Sequence, residues 1–201
     1  MHNPSYDDRL AHQLSVAASV FATKGYHSTT MRDLARESGM SLSGMYYYVE
    51  GKDELLFTIQ ERCFREVIDG AVRAMQVARD PSESLERFIT HHVTFFAQHM
   101  AEMKVLSQES ESLSEAYREP INDLKRRYVE LLVDTIEALQ NDTGGVDPRI
   151  AAYALFGTMN WIYTWYDPEG QITPEALAEQ FATIFLTGTI NTAVAPAAQG
   201  G

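Results

Sequence analysis

Residues 38–56 read SGMSLSGMYYYVEGKDELL. Serine and glycine supply five of the seven residues at 38–44, three tyrosines follow at 46–48, and Lys52 sits among acids. A helix that only packs a core does not have this composition. Gly39 stops one helix, and Ser41 caps a short one that runs from Leu42 to about Val49. Glu50-Gly51 is a turn, and a long helix follows from Lys52 to about Arg79. Upstream, Thr29 or Thr30 caps a short helix, with Asp33 completing a capping box on Thr30. Met31, Leu34 and Ala35 form its apolar face. Before it, Leu10, Leu14, Ala17, Ala18 and Phe21 recur at three- and four-residue spacing on a helix that Gly25 ends.

Two short helices around a tight glycine turn make a helix-turn-helix, whose second helix enters the DNA major groove by its N-terminal end. The residue types fit that task. Ser41, Leu42, Ser43 and Gly44 are small or slender where bulk would hold the backbone away from the groove. The serines can bond bases or phosphates, and Leu42 or Tyr46 can touch a thymine methyl. Successive side chains point about 100° apart on a helix. Met45 is therefore expected in the core, Tyr46 and Tyr47 toward DNA, and Tyr48 between. Lys52, with the amides of its turn, is expected to clamp a phosphate. The plainer alternative makes the tyrosines ordinary surface or core aromatics.

The stretch TTMRDLARESGMSLSGMYYYVEGKDELL resembles the DNA-binding domain of the TetR family of one-component regulators. The likeness covers Ser28–Leu56 closely, and Ala11–Gly25 supports it. It implies DNA contacts at Thr29 or Thr30, Arg32, Ser41, Leu42, Ser43, Gly44, Tyr46, Tyr47 and Lys52. Val49, Glu50 and Leu42 depart from the family pattern, which favours Phe at the first position and a polar or basic residue at the last.

Charge divides the chain. Residues 1–52 balance five bases against five acids, so the rest carries the whole formal charge of −12. That repels nucleic acid at long range and makes DNA binding depend on local contacts, with a modest salt slope. The single cysteine, Cys63, excludes an intramolecular disulfide and suits a reducing cytoplasm. The N-terminus lacks signal-peptide character, and no apolar run reaches the roughly 20 residues of a membrane span. The expected fold is all-α with about nine helices. Residues 1–52 form a three-helix DNA-binding domain, 53–192 a helical bundle for ligand binding and dimerisation, and 193–201 a disordered tail.

Within the bundle, Asp80-Pro81 opens one helix, and others are expected over Glu102–Glu111, Glu115–Gln140, Asp147–Tyr166 and Thr173–Asn191. Ile150–Tyr166 is uncharged and apolar or aromatic all round, so it needs cover on more than one side. The last two helices are expected to pair in a homodimer, as the family resemblance implies. The alternative is an intramolecular core. Phe156, Met159, Tyr163 and Tyr166 form one stripe and Trp161 and Trp165 another. With Phe95, Phe96, Met100 and Met103 they could wall a cavity for a bulky apolar effector. A solid core fits the pattern as well.

NWIYTWYDPEG and the following Thr-Pro-Glu resemble regulators of fatty-acid or sterol catabolism within the same family. That implies an acyl-CoA or similar long apolar ligand, with Arg118, Lys125, Arg126 and Arg127 as candidate phosphate partners. No metal and no cofactor is expected: His91 and His92 point apart on a helix, and no Cys or carboxylate set joins them with His99. Cys63 reads as a buried small residue. No nucleophile elbow, phosphate loop or paired catalytic motif is present, so no enzyme is expected. A regulator without a small ligand, or a helical protein with a vestigial DNA-binding domain, remain the alternatives.

Overall fold

The computed structural model describes residues 6–140 and 145–190. The expected tail at 193–201 lies outside them. Among the described residues there are nine α-helices and no strand. They are α1 (Tyr6–Lys24), α2 (Met31–Glu37), α3 (Leu42–Tyr46), α4 (Lys52–Met75), α5 (Pro81–Gln98), α6 (Met100–Gln108), α7 (Glu115–Gln140), α8 (Pro148–Asn160) and α9 (Pro174–Ile190). Short 3-10 turns cover Ser110–Ser112 and Trp161–Thr164.

Two compact units interleave along the chain. The described residues up to Ile68 form one with Phe96–Arg127, and Asp69–Phe95 form the other with the described residues from Tyr128 onward. The first unit packs α1 against α2 and α6, and α2 against α3. Its interior holds Leu14, Ala17, Ala18, Phe21, Leu34, Met45, Leu55, Leu56 and Val105, all buried. The second holds α5, α8, α9 and the C-terminal part of α7 around Phe88, Ile89, Leu132, Leu155, Phe156 and Ala178.

The helix ends follow local chemistry. Gly25 takes φ +80°, a conformation that costs glycine little, and its N–H donates to the Phe21 carbonyl at 2.9 Å. Thr30 caps α2: its hydroxyl accepts from the Asp33 N–H at 3.2 Å, and the Asp33 carboxylate accepts from the Thr30 N–H at 3.0 Å. Gly39 at φ +67° makes the turn into α3.

Four expected boundaries shift. Helix α3 stops at Tyr46 rather than Val49, because Tyr47 and Tyr48 tighten onto the carbonyls three residues back. Helix α4 stops at Met75 rather than Arg79, since the Arg79 N–H is taken by Glu83 at the start of α5 at 2.9 Å. Helix α6 begins at Met100 and ends at Gln108, two to three residues ahead of the expected span. Helix α8 gives way at Asn160 to a 3-10 turn instead of running to Tyr166. There Ile162 and Tyr166 are buried, and the Tyr166 hydroxyl donates to the Ile172 carbonyl at 2.9 Å, holding the loop before α9.

Candidate functional site

The helix-turn-helix presents its expected residues unequally. Ser41 caps α3, accepting from the Gly44 N–H at 3.0 Å with Ser43 Oγ 3.1 Å away. A Cβ on Gly44 would lie 3.1 Å from both Ser41 Oγ and Met40 Cε, so any larger residue there asks the capping hydroxyl and the Met40 tip to give way by a few tenths of an ångström. Met45 is fully buried, Tyr46 and Tyr47 are 50% and 74% exposed, and Tyr48 is half-buried with its ring edge-on to Tyr47. Leu42 is half-buried and Ser43 exposed.

Thr29 and Thr30 separate. Thr29 is buried, and its hydroxyl donates to the Gly25 carbonyl at 2.8 Å. Thr30 is the exposed one, at the leading end of α2. The cations differ as sharply. Lys24 and Arg36 both reach Asp33 Oδ1 at 3.1 Å, and Arg36 also pairs with Glu37. Hydrogen bonds from Thr30 and Lys24 hold the Asp33 carboxyl well below the usual carboxylate range. Arg32 is exposed, and among the described bases from Lys24 to Lys52 it alone makes no ion pair or hydrogen bond.

Lys52 does something the sequence did not announce. Its ammonium donates to the Tyr26 carbonyl at 2.8 Å and the Thr29 carbonyl at 2.9 Å, and sits 4.2 Å from the centre of the Tyr26 ring. Around it, Glu54 accepts from the Glu50 N–H and Asp53 from the Ser114 N–H. The start of α4 therefore carries carboxylates, and the lysine's main bonds are to the loop between α1 and α2. Tyr26, whose N–H donates to Glu109 Oε1 at 3.1 Å, belongs to this arrangement, and neither residue was legible as a site residue.

The expected effector residues do not all lie inside. Phe156 and Met159 are buried in the second unit, and Tyr163 is half-buried. Phe156 packs with Phe88, His92 and Tyr128, ring centres 5.3–5.9 Å away. His92 Nδ1 lies 3.0 Å from the Tyr128 hydroxyl. Burial, with the neighbouring His91, pushes the His92 pKa down to about 3, so the imidazole is neutral. Trp161 and Trp165 are 59% and 52% exposed, turned outward rather than into that cluster. Ile150, Tyr153 and Ile184 are exposed as well. Of the first-unit candidates, Phe96 and Met103 are buried, and Met100 is half-buried, as is Phe95 in the second unit.

A separate cleft of about 410 Å³ in the second unit is lined by Met75, Pro81, Ser84, Leu131 and Thr135 among others. In the basic group, Arg126 pairs with Glu119 and Asp123, and Arg118 donates to the Leu113 carbonyl. Burial lowers the Lys125 pKa. Cys63 is buried and its thiol pushed up by desolvation, with Glu102 and Glu66 adding to it. The described residues hold no cluster that could bind a metal ion, and no described helix is long and apolar enough to cross a membrane.

A Thr-capped helix, a glycine turn, and a second helix with exposed serine and tyrosines define a helix-turn-helix protein. Residues 14–59 match the bacterial regulatory proteins of the tetR family, and residues 78–189 match the tetracyclin repressor-like C-terminal domain. The chain belongs to the TetR family of DNA-binding transcriptional regulators. It is 26% identical over 180 residues to the HTH-type transcriptional repressor KstR2 of Rhodococcus jostii, covering 87% of this chain and 88% of that protein. The TetR regulator PfmR of Thermus thermophilus superposes with a TM-score of 0.80 at 28% identity, covering 88% of this chain and 97% of that one. AibR, crystallised in complex with isovaleryl coenzyme A and operator DNA, gives a TM-score of 0.78 at 26% identity, with coverage of 88% and 97%.

Proposed function

We propose that the protein is a cytoplasmic, homodimeric repressor that binds a palindromic operator and is released by a bulky apolar effector of the acyl-CoA class. The observation that carries the DNA half is the face built by α2 and α3. There Thr30, Arg32, Ser43, Tyr46 and Tyr47 are each exposed, along or beside a capped helix pair. On this reading residues 1–52 read DNA and 53–192 bind the effector and the second subunit. Ser41, Leu42 and Gly44 shape the leading end of α3, and Lys52 holds the neighbouring loop, keeping at most part of its ammonium for a phosphate.

One helix-turn-helix covers a single half-site, so a palindrome calls for two copies, with half-sites about 34–36 Å apart or a multiple. Ile150, Tyr153 and Trp161 follow one side of α8 and its 3-10 extension at helical spacing, with exposed Gly157 between them. Together with Ile184 on α9 they form a surface suited to a second copy. This assigns Trp161, and with it Trp165, to the subunit contact rather than to an effector wall.

The effector half draws on AibR, whose complex contains an acyl-CoA and operator DNA. Phe156 and Met159 lie among closely packed rings, so an acyl chain enters only if those side chains repack, which Met does readily. Release follows from a higher effector affinity for a state with the wrong spacing of recognition helices. The close ring packing equally favours a regulator that answers to no small molecule. One experiment separates them: fluorescence anisotropy on the palindrome-containing DNA beside the coding region, with free acids and acyl-CoAs titrated in. Specific binding lost on adding an acyl-CoA supports the whole reading. Binding indifferent to the panel leaves a regulator without this effector. No binding by a folded dimer at any salt refutes the DNA-binding role.

A further inference from the structure

The loop between α1 and α2 is gripped from two sides. Lys52 holds its carbonyls, as above. From the other side the Tyr26 N–H donates to Glu109 Oε1 at 3.1 Å, a bond between residues 83 positions apart. Glu109 ends α6, and its second oxygen accepts from the Ser112 hydroxyl at 2.7 Å. Ser112 Oγ in turn lies 3.3 Å from His27 Nε2. The Glu109 carbonyl faces the Gln60 amide of α4 at 3.4 Å, and the Ser114 N–H donates to Asp53 at 3.2 Å. The segment from Glu109 to Ser114 thus ties the loop that launches α2 to two turns of α4.

Apolar packing does not need a carboxylate at this place. Two acceptor atoms are in use at once, one for a backbone N–H and one for a hydroxyl, and an ionised carboxylate serves both strongly. We propose that Glu109 is a positioning residue for DNA recognition. It fixes the Tyr26 peptide and so sets the pose of α2 and α3 against the start of α4, without touching DNA. The inference rests on the DNA-binding reading above.

The test compares full-length wild type, Glu109→Ala, Glu109→Asp and Glu109→Gln on the same intergenic DNA over a salt series. Glu109→Ala should bind about tenfold more weakly, one lost charge-assisted hydrogen bond at the loop. Its slope of log affinity against log salt should stay at the wild-type value, because no phosphate contact is lost. Glu109→Asp keeps the charge but is too short to reach Tyr26, and should be weakened alike. Glu109→Gln keeps an acceptor for the N–H and should recover to within about twofold. Circular dichroism melting in parallel establishes that each variant is folded at the assay temperature. Folded Ala or Asp variants that bind like wild type overturn the proposal, as does a Gln variant no better than Ala. A slope changed by about one phosphate contact shows that losing the carboxylate alters the charge balance of the DNA face rather than its pose, and also overturns it. Wild type that binds no DNA refutes the DNA-binding reading itself, a result distinct from all of these.

Discussion

Lys52→Met separates two jobs that one ammonium could do. The side chain spends two of its three N–H donors on the Tyr26 and Thr29 carbonyls and lays its charge against the Tyr26 ring. A charge-assisted hydrogen bond contributes about 1.5–3 kcal/mol when shielded, and an exposed cation–π contact about 0.5–1 kcal/mol. Lys52 is half-buried, so the lower ends apply, and water can partly replace the lost donor at both carbonyls. We expect a net loss of about 2 kcal/mol, read as a melting midpoint lower by about 4–8 °C for a chain of this size. Operator affinity should fall with it, because the loop that carries α2 loosens. The salt slope of that affinity should stay close to wild type, since at most one donor remains for a phosphate. Thermal melting by circular dichroism and anisotropy at four or five salt concentrations give both numbers. An unchanged midpoint with a slope smaller by about 0.9 would show that the ammonium works on DNA, and the reasoning from its internal bonds would be wrong.

Other outcomes follow from the second unit and the outer face of α8. His92 is neutral in the fold down to about pH 3 but takes a proton near pH 6.5 when unfolded. Its pKa is lowered by folding, so the unfolded state binds the extra proton between those values, and stability falls with pH by about 1.4 kcal/mol per unit in that window. His92→Phe should be less stable at pH 7, where it leaves the Tyr128 hydroxyl without this partner, yet show a shallower acid decline in urea melts. Gly70→Ala would place a Cβ 2.3 Å from the His91 Cε1 atom. Overpacking of about 1–3 kcal/mol should outweigh the roughly 1 kcal/mol that alanine gains in a helix, and adding His91→Ala should recover most of the loss in chemical denaturation. Trp161→Glu puts a charge on the exposed apolar face of the second unit. It should leave the melting midpoint within a few degrees while shifting sedimentation toward monomer and abolishing specific DNA binding; a dimer that persists refutes the subunit-contact assignment.

What the sequence revealed and what it hid divide by range. Thr30, Asp33, Ser41 and Gly39 act on groups two to four residues away, so their spacing announces the caps and turn the structure contains. Met45, Tyr46 and Tyr47 take the orientations that the helical step imposes. The interior of α8 was legible as helix, but its end was not. Nothing at Asn160 or Trp161 signals the tighter winding, and Asp167 is the first charged residue after it. The placement of Trp161 and Trp165 was hidden for another reason. An apolar stripe calls for cover but does not say whether the cover comes from the same chain. Lys52 and Glu109 were hidden because their partners lie 23 to 83 residues away, and such pairings leave no mark on local pattern.

The carboxylate of Asp33, holding Lys24 and Arg36 beside the Thr30 cap, has a bearing on life among a whole chromosome of competing sites. Attraction to arbitrary DNA grows with the number of cations free to displace counterions. The stretch from Lys24 to Lys52 neutralises two of its own, lends a third to a loop, and belongs to a chain of formal charge −12. On the proposed repressor reading, such a protein is held weakly by bulk DNA, more of it stays in free solution, and occupancy of an operator depends on base and shape complementarity rather than on residence along the duplex. Few molecules per cell then suffice to fill one site, and a small change in specific affinity is felt directly as a change in occupancy.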